Sequence, residues 1–409
     1  MLQNARDQDV NTALVIVPVL ASGAIHREDV IRDPAARLSE AVGLAKAIDL
    51  AVVETVSVRL TRPNAAAFLG KGKVQELGAL IDSRQISLAI VDDALSPVQQ
   101  RNLERAWQVK VLDRTGVILE IFGRRARTKE GKLQVELAHL VYQRSRLVRS
   151  WTHLGRQRGG FGFLGGPGET QIESDRRKLR ERIARLRAEI DQVRAQRRMH
   201  RARRKRDEFR SIALVGYTNA GKSTLFNQLA GTHVQSSPML FTTLDPTVRA
   251  IALPKGSSAV LSDTVGFISH LPTMLVAAFR ATLEEVTDAD LILHVRDISS
   301  AESDAQREDV RAVIRQIGLD PDNADRFIEV WNKIDTVDLE GRAAVYNQAS
   351  RDASGTEVFV VSAKIGAGLD ALRRGIEKRL LLDRAVVKRS PEPPQSEEME
   401  DGVAHLAPK

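Results

Sequence analysis

The chain has 409 residues, which is long for a single ordinary domain and predicts two or three. Its residues are 43% hydrophobic, so each domain can bury a core, and the absence of cysteine excludes disulfides and thiolate metal sites. The formal net charge is +8. No apolar run reaches the roughly 18 residues of a membrane span, and the first residues lack the apolar core of a signal peptide. We therefore expect a cytoplasmic protein with no membrane partner.

The first part of the chain alternates between two kinds of pattern. Four short apolar runs are candidate strands, at residues 14–17, 51–53, 88–91 and 109–112. Stretches with helical periodicity lie between them, for example residues 37–49 and 98–107. This alternation predicts a small parallel α/β domain over residues 1–130, with no phosphate loop of its own.

The next part of the chain, residues 131–208, carries helical patterns on both sides of a glycine-rich loop at residues 155–168. After the loop, apolar residues form a short heptad seam: Leu179, Ile183, Leu186, Ile190 and Val193. Two helices around one loop predict an antiparallel coiled-coil hairpin. The alternative is that the glycine run is a flexible linker.

Positive charge is concentrated on the second helix of this hairpin. Residues 175–210 contain sixteen Arg or Lys and six Asp or Glu, a net charge of +10. Such a stripe favours phosphate backbones, and arginine and aromatic residues interleaved with glycines suit RNA. The alternatives are a solvated helix face and a membrane surface. The candidate RNA-binding residues are Arg156, Arg158, Gly159, Gly160, Phe161, Gly166, Arg176 and Arg177.

A phosphate-binding motif opens the third part of the chain, residues 209–383. Residues 216–223 fit the pattern G-x-x-x-x-G-K-[ST], after an apolar strand and before a helix. Lys222 is expected to contact the outer phosphates, and the Ser223 hydroxyl is expected to bind Mg²⁺. The nucleotide-binding residues predicted here are Gly216, Tyr217, Thr218, Asn219, Ala220, Gly221, Lys222, Ser223 and Thr224.

Two loops follow that could sense the last phosphate. Thr243 is expected to bind Mg²⁺ when that phosphate is present, and Asp263, at the end of a strand, to hold Mg²⁺ through water. Gly266 can bring its backbone N–H close to the phosphate. The predicted residues are Phe241, Thr242, Thr243, Leu244, Asp245, Asp263, Thr264, Val265 and Gly266. The alternatives are a polar loop at 239–247 and a surface turn at 263–266.

A further pair of motifs indicates the base. Asp335 can accept two hydrogen bonds from guanine, whereas adenine lacks the 2-amino group and would leave the carboxylate partly unpaired. Ser362 and Ala363 follow another strand and are expected to add a backbone N–H beneath guanine. The predicted residues are Asn332, Lys333, Ile334, Asp335, Ser362, Ala363 and Lys364. The motifs together predict GTP and GDP as ligands.

The catalytic residues predicted from these motifs are Lys222, Thr243, Gly266 and Asn219. Asn219 is a candidate K⁺ ligand, and the alternative is a side chain that braces the loop. Phe267 follows Gly266, where many small GTPases have a glutamine that orients the attacking water. We therefore expect slow hydrolysis until a partner completes the site. Residues 384–409 are polar and acidic, which predicts a disordered tail.

Four stretches of the chain closely resemble the HflX family of ribosome-associated GTPases: residues 94–104, 127–137, 165–177 and 216–224. The resemblance implies an N-terminal α/β domain, a coiled-coil hairpin and a P-loop GTPase domain. It also implies binding to the large ribosomal subunit and its RNA, and a role in splitting or rescuing stalled ribosomes or in ribosome biogenesis. We expect a Mg²⁺-dependent monomer. The rival hypothesis is a nucleotide-gated RNA-binding or RNA-remodelling factor, with ATP used by the N-terminal domain.

Overall fold

The structure is a computed structural model, and it forms two α/β domains and a helical hairpin. It describes residues 11–20, 33–151, 167–206, 209–232, 240–241, 243–278, 280–351 and 356–387. None of the helices in these ranges is long and apolar enough to cross a membrane.

The N-terminal domain is a parallel sheet with helices between its strands, as predicted. Its elements are β1 (Thr12–Leu20), α1 (Pro34–Lys46), β2 (Ala51–Leu60), α2 (Lys71–Ser83), β3 (Leu88–Val91), α3 (Pro97–Trp107), β4 (Lys110–Asp113) and α4 (Arg114–Arg125). The strand order is β2-β1-β3-β4, and every pair is parallel. Strand β2 is much longer than the three residues expected, because it continues through polar residues on a half-exposed edge.

Local sequence explains where these helices begin. Helix α1 starts at a proline, and the preceding Asp33 accepts a hydrogen bond from the Ala35 amide at 3.1 Å. Helix α3 also starts at a proline and has a complete capping box, in which Ser96 and Gln99 each satisfy the other's backbone amide.

The hairpin consists of α5 (Lys129–Trp151) and α6 (Pro167–Arg206), which pack against each other. Three of the five predicted seam residues are buried: Ile183, Leu186 and Ile190 are 2%, 0% and 3% exposed, whereas Leu179 and Val193 are half-buried. Across the hairpin, Arg182 Nη2 lies 2.6 Å from Glu136 Oε1. The predicted loop at its tip lies outside the described residues apart from its last two, which begin α6.

The third unit is a six-stranded sheet flanked by helices. Its elements are β5 (Arg210–Gly216), α7 (Lys222–Ala230), β6 (Thr247–Ala252), β7 (Ser258–Asp263), α8 (Thr273–Ala278), α9 (Arg280–Thr287), β8 (Leu291–Asp297), α10 (Ser303–Gln316), β9 (Phe327–Asn332), α11 (Leu339–Arg351), β10 (Glu357–Val360) and α12 (Leu369–Val387). The order is β10-β9-β8-β5-β7-β6, with β6 antiparallel to β7 and the other described pairs parallel. Residues 384–387 were predicted to begin a disordered tail but lie in α12, and the rest of that predicted tail lies outside the described residues.

One hydrophobic core runs through both α/β domains. It includes Val117 and Phe122 from α4 together with Phe241, Phe267 and Val286 from the third unit. Two further cores lie within single domains, one on each side of this shared core. The N-terminal domain is therefore packed against the third unit at the loops that were predicted to surround the nucleotide.

Candidate guanine-nucleotide site

The fold brings the predicted nucleotide motifs to one edge of the six-stranded sheet. Strands β5, β7 and β9 run parallel, and each ends in a motif: Gly216 ends β5, Asp263 ends β7 and Asn332 ends β9. Ligands of open α/β sheets bind outside the carboxyl ends of the strands. The topology thus places residues separated by more than a hundred positions around one crevice.

The phosphate loop has a backbone that only glycine fits at two positions. Gly216 and Gly221 have φ values of 154° and 93°. A Cβ on Gly216 would lie 2.2 Å from the carbonyl oxygen of Val295, and one on Gly221 would lie 2.3 Å from Nδ2 of Asn332. The loop is therefore pressed against β8 and the end of β9, in front of helix α7.

Lys222 is buried at the centre of this loop. Its Nζ donates hydrogen bonds to the carbonyl oxygens of Gly216 and Tyr217, at 3.0 and 2.8 Å. Burial lowers the pKa of Lys222 to about 8, although the nearby Asp263 carboxylate opposes the shift. A Cβ added to Gly266 would lie 3.1 Å from the same Nζ, so this glycine adjoins the lysine.

Three side chains predicted to bind Mg²⁺ meet in one place. The Asp263 Oδ2 atom accepts hydrogen bonds from Ser223 Oγ at 2.7 Å and from Thr243 Oγ1 at 3.0 Å, and these two hydroxyls are 3.0 Å apart. The Oδ1 atom of Asp263 is buried and has no hydrogen-bond partner within the described part of the chain. Burial raises the pKa of this carboxyl despite the nearby lysine. Mg²⁺ prefers hard oxygen donors, so the donor set fits this ion.

The predicted base-recognition residues are held by hydrogen bonds among themselves. Ser362 Oγ donates to Asp335 Oδ1 at 2.6 Å. Asn332 bridges two loops, because its Nδ2 donates to the Ala220 carbonyl and its Oδ1 accepts from the Ala363 amide, both at 2.9 Å. The Ala363 amide could therefore donate a hydrogen bond to guanine only if it gave up its hydrogen bond to Asn332 Oδ1.

The loop around Thr243 turns its other described side chains away from the crevice. Phe241 and Leu244 are buried in the shared core, and the Phe241 ring meets the Phe122 ring edge-on at 4.9 Å. The carboxylate of Asp245 is bound at the beginning of α5. Any contact of Phe241, Leu244 or Asp245 with the nucleotide would therefore have to be made by backbone atoms. Thr242 lies outside the described residues.

The predicted RNA-binding residues are divided between two regions. Arg176 and Arg177 lie on α6, in the described part of the hairpin. Arg156, Arg158, Gly159, Gly160, Phe161 and Gly166 lie outside the described residues.

Sequence reasoning missed a buried polar cluster between the domains. Arg114 forms short ion pairs with Glu40 and Asp92, and its Nη2 donates to the Ser269 carbonyl at 3.0 Å. Tyr217 of the phosphate loop donates a short hydrogen bond to Glu40, and its hydroxyl accepts from the Ser269 amide at 2.8 Å. Burial raises the pKa of Glu40, but Arg114 and the hydroxyls of Tyr217 and Ser269, which both donate to this carboxylate, outweigh that effect and lower the pKa overall. The N-terminal domain is thus bonded directly to the phosphate loop.

Sequence reasoning also missed Asp297, whose Oδ2 pairs with Lys333 Nζ at 2.7 Å beside the base-recognition loop. Its position at the carboxyl end of the buried strand β8 was a usable signal, since the same position identified Asp263 on β7. Nothing comparable marked Glu40 or Arg114, because their partners lie 22 to 229 residues away and no short motif joins them.

The phosphate loop, the oxygen donors and the base-recognition pair, all at one edge of a mostly parallel sheet, define a P-loop GTPase. Three family models match the chain: "GTP-binding GTPase N-terminal" at residues 35–123, "GTP-binding GTPase Middle Region" at 125–204 and "50S ribosome-binding GTPase" at 211–333. The protein named GTPase HflX in Magnetococcus marinus is 48% identical over 86% of this chain and 81% of its own length. The Escherichia coli protein of that name is 44% identical over 84% and 79%.

The chain therefore belongs to the HflX family of GTPases, and its enzymatic class is GTP hydrolase. Among solved structures, the crystal structure of a complex of SsGBP with GDP is 25% identical in sequence. It matches with a TM-score of 0.50, over 91% of this chain and 99% of that chain. This similarity extends through the N-terminal domain and the hairpin as well as the GTPase domain.

Proposed function

We propose that this protein is a Mg²⁺-dependent GTPase that binds the large ribosomal subunit through its hairpin. Its role would be in translation, in splitting or rescuing stalled ribosomes or in ribosome biogenesis, as a cytoplasmic monomer. The observation that carries the proposal is the exposed positive charge of α6: Arg177, Arg180, Arg185 and Arg187 are all exposed. The description "50S ribosome-binding GTPase" of the matching family model supports the same partner.

In this proposal the nucleotide is held by the residues predicted from the motifs. Lys222 and the loop amides bind the phosphates, and Ser223, Thr243 and Asp263 hold Mg²⁺, which would neutralise charge on the phosphates. Asp335 reads the guanine edge. Asn219, which is exposed and has a φ of 61°, is proposed as a K⁺ ligand. Equal hydrolysis rates in K⁺ and Na⁺ at the same ionic strength would remove this role for Asn219.

The proposal also holds that the isolated site is incomplete. Phe267 is fully buried, its amide donates to the Gly216 carbonyl at 3.1 Å, and its carbonyl accepts from the Thr218 amide at 2.7 Å. This position therefore has no side chain that could orient an attacking water. A partner has to supply the missing hydrogen bond or rearrange the loops around the phosphate.

Sedimentation with purified large ribosomal subunits tests the partner. A variant with Arg177, Arg180, Arg185 and Arg187 changed to Gln removes four charges from the α6 face. The control removes four exposed charges from the GTPase domain, by changing Arg249, Arg351, Arg374 and Lys378 to Gln.

With a non-hydrolysable GTP analogue, we expect the wild type and the control to sediment with the subunits. We expect the α6 variant to bind at least about tenfold more weakly, with a shallower dependence on salt. The GTP affinity of all three proteins should be equal. Binding of the α6 variant as tight as that of the control would contradict the proposed surface.

A further inference from the structure

The short segment 243–245 connects the nucleotide site to the hairpin. At one end, the Thr243 hydroxyl lies 3.0 Å from both Ser223 Oγ and Asp263 Oδ2. Two residues later, the Asp245 carboxylate reaches the beginning of α5. Its Oδ2 accepts from the amides of Arg127 and Thr128 at 2.8 and 2.9 Å, and its Oδ1 accepts from the Thr128 hydroxyl.

The N-terminal end of α5 provides the donors and the space that this carboxylate needs. Thr128 caps the helix, because its Oγ1 accepts from the Gly131 amide at 3.0 Å while it donates to Asp245. The start of a helix also carries partial positive charge, which favours a carboxylate. A Cβ added to Gly131 would lie only 2.3 Å from Asp245 Oδ1, so a side chain at this position would exclude the carboxylate.

Apolar contacts hold the same loop against the N-terminal half of the chain. Phe241 packs edge-on against Phe122 of α4, and Leu244 is buried in the same core. Leu240 lies against Gly43 of α1, where an added Cβ would be 3.1 Å from its Cδ1. The position of Thr243 is therefore set by contacts on both sides, with Mg²⁺ ligands on one and the hairpin and N-terminal domain on the other.

We propose that Asp245 is the positioning residue for Thr243, with the first turn of α5 as its docking site. This inference rests on the Mg²⁺ role proposed above for Thr243. When the triphosphate is bound, docking presents the Thr243 hydroxyl to the metal. Since coupling between sites is reciprocal, the nucleotide state in turn biases the first helix of the hairpin.

The test measures the affinity for GDP and for a non-hydrolysable GTP analogue, each as Mg²⁺ is titrated. Asp245→Asn removes the charge from the carboxylate. Gly131→Ala leaves the carboxylate intact but places a methyl group where Asp245 Oδ1 binds. Because alanine favours a helix more than glycine does, this change should not weaken α5 itself. Asp33→Ala is the matched control, because it removes an aspartate side chain that caps α1 by accepting from the Ala35 amide. Thr243→Ala reports whether Thr243 acts on the metal at all.

We expect Asp245→Asn and Gly131→Ala to weaken Mg²⁺-dependent binding of the analogue by about tenfold, with GDP affinity within about twofold of wild type. Asp33→Ala should change neither affinity. If Thr243→Ala shows the selective loss and the two docking variants do not, the positioning role of Asp245 is wrong while the Mg²⁺ assignment stands. If Thr243→Ala shows no loss, the Mg²⁺ assignment itself is wrong. Equal weakening of GDP and analogue, with a lower melting temperature, would indicate a purely structural role and overturn the inference.

Discussion

At the scale of single residues, the proposed recognition of guanine depends on one carboxylate that a hydroxyl holds in place. Ser362 donates to Asp335 Oδ1 at 2.6 Å, which restrains the carboxylate. Guanine offers two donors to such a group, whereas xanthine has an oxygen in place of the 2-amino group. The identity of residue 335 should therefore determine which nucleotide binds.

Changing Asp335 to Asn should weaken GTP binding by about 10- to 100-fold and improve binding of xanthosine triphosphate, because the amide supplies the donor that the 2-oxo group needs. Competition binding with both nucleotides measures this. The control is Asp338→Asn, since Asp338 accepts from the Gly341 amide at the start of α11. An unchanged preference in the Asp335 variant would overturn its assignment.

A second residue-scale prediction concerns pH. His294 on β8 is buried, with Nδ1 3.8 Å from Glu329 Oε1. Burial lowers the pKa of His294 to about 4 from its ordinary 6.5, with Glu329 opposing the shift and Arg296 adding to it. The unfolded chain thus takes up a proton near pH 6.5, whereas the folded protein does so only near pH 4. The stability due to neutral His294 is complete above pH 6.5 and is lost as the pH falls toward 4.

The free energy of unfolding should therefore fall by on the order of 2 kcal/mol between pH 7.5 and 5 because of this residue. Urea denaturation of the wild type and of His294→Asn at both pH values measures the effect. Between these pH values, the free energy of unfolding of His294→Asn should fall by about 2 kcal/mol less than that of the wild type. Parallel losses in the two proteins would show that His294 does not titrate as described.

At the scale of elements, the heptad pattern predicted the buried seam of α6. Its spacing alone identified Ile183, Leu186 and Ile190, because a helix repeats its buried face every three or four residues. The same reasoning missed most of β2. Polar residues such as Glu54 and Ser57 interrupt its apolar run, and its half-exposed edge position tolerates them. Periodicity therefore predicts an element well only where burial is one-sided and regular.

Truncation of the seam should destabilise the protein measurably. Leu186 is fully buried, so Leu186→Ala should lower the free energy of unfolding by about 2–5 kcal/mol through lost burial and a cavity. Leu339→Ala is the control, because Leu339 is 81% exposed at the start of α11. Urea denaturation compares the two. If Leu186→Ala lowered the free energy of unfolding no more than Leu339→Ala does, the hairpin would not be packed on this seam.

At the scale of the whole molecule, the two α/β domains share a core and a buried ion cluster. The sequence patterns predicted the α/β character of each domain and the side chains that we propose as Mg²⁺ ligands. They gave no indication that Tyr217 of the phosphate loop would bond to Glu40 of α1. Contacts between domains follow from shape and packing, which leave no short pattern in a single sequence. For this reason the link between N-terminal domain and nucleotide site emerged only from the structure.

Removing the centre of the cluster tests this link. Arg114→Met should leave the buried carboxylates of Glu40 and Asp92 without their cation, at a cost of about 3–5 kcal/mol. The control, Arg124→Met, breaks an exposed pair with Asp49 that is worth at most about 1 kcal/mol. Thermal unfolding of both variants gives the comparison. Similar melting temperatures for the two would show that the cluster does not join the domains.

The rate of GTP hydrolysis with and without purified large ribosomal subunits tests most directly whether the isolated site is incomplete and needs a ribosomal partner. Because Phe267 is buried at the position after Gly266, we expect slow turnover by the free protein. We expect a rise of at least about tenfold on adding subunits, and loss of this rise in the variant with four arginines of α6 changed to Gln. A free protein that already hydrolyses GTP at its full rate, unaffected by subunits, would show that the site is complete without a partner.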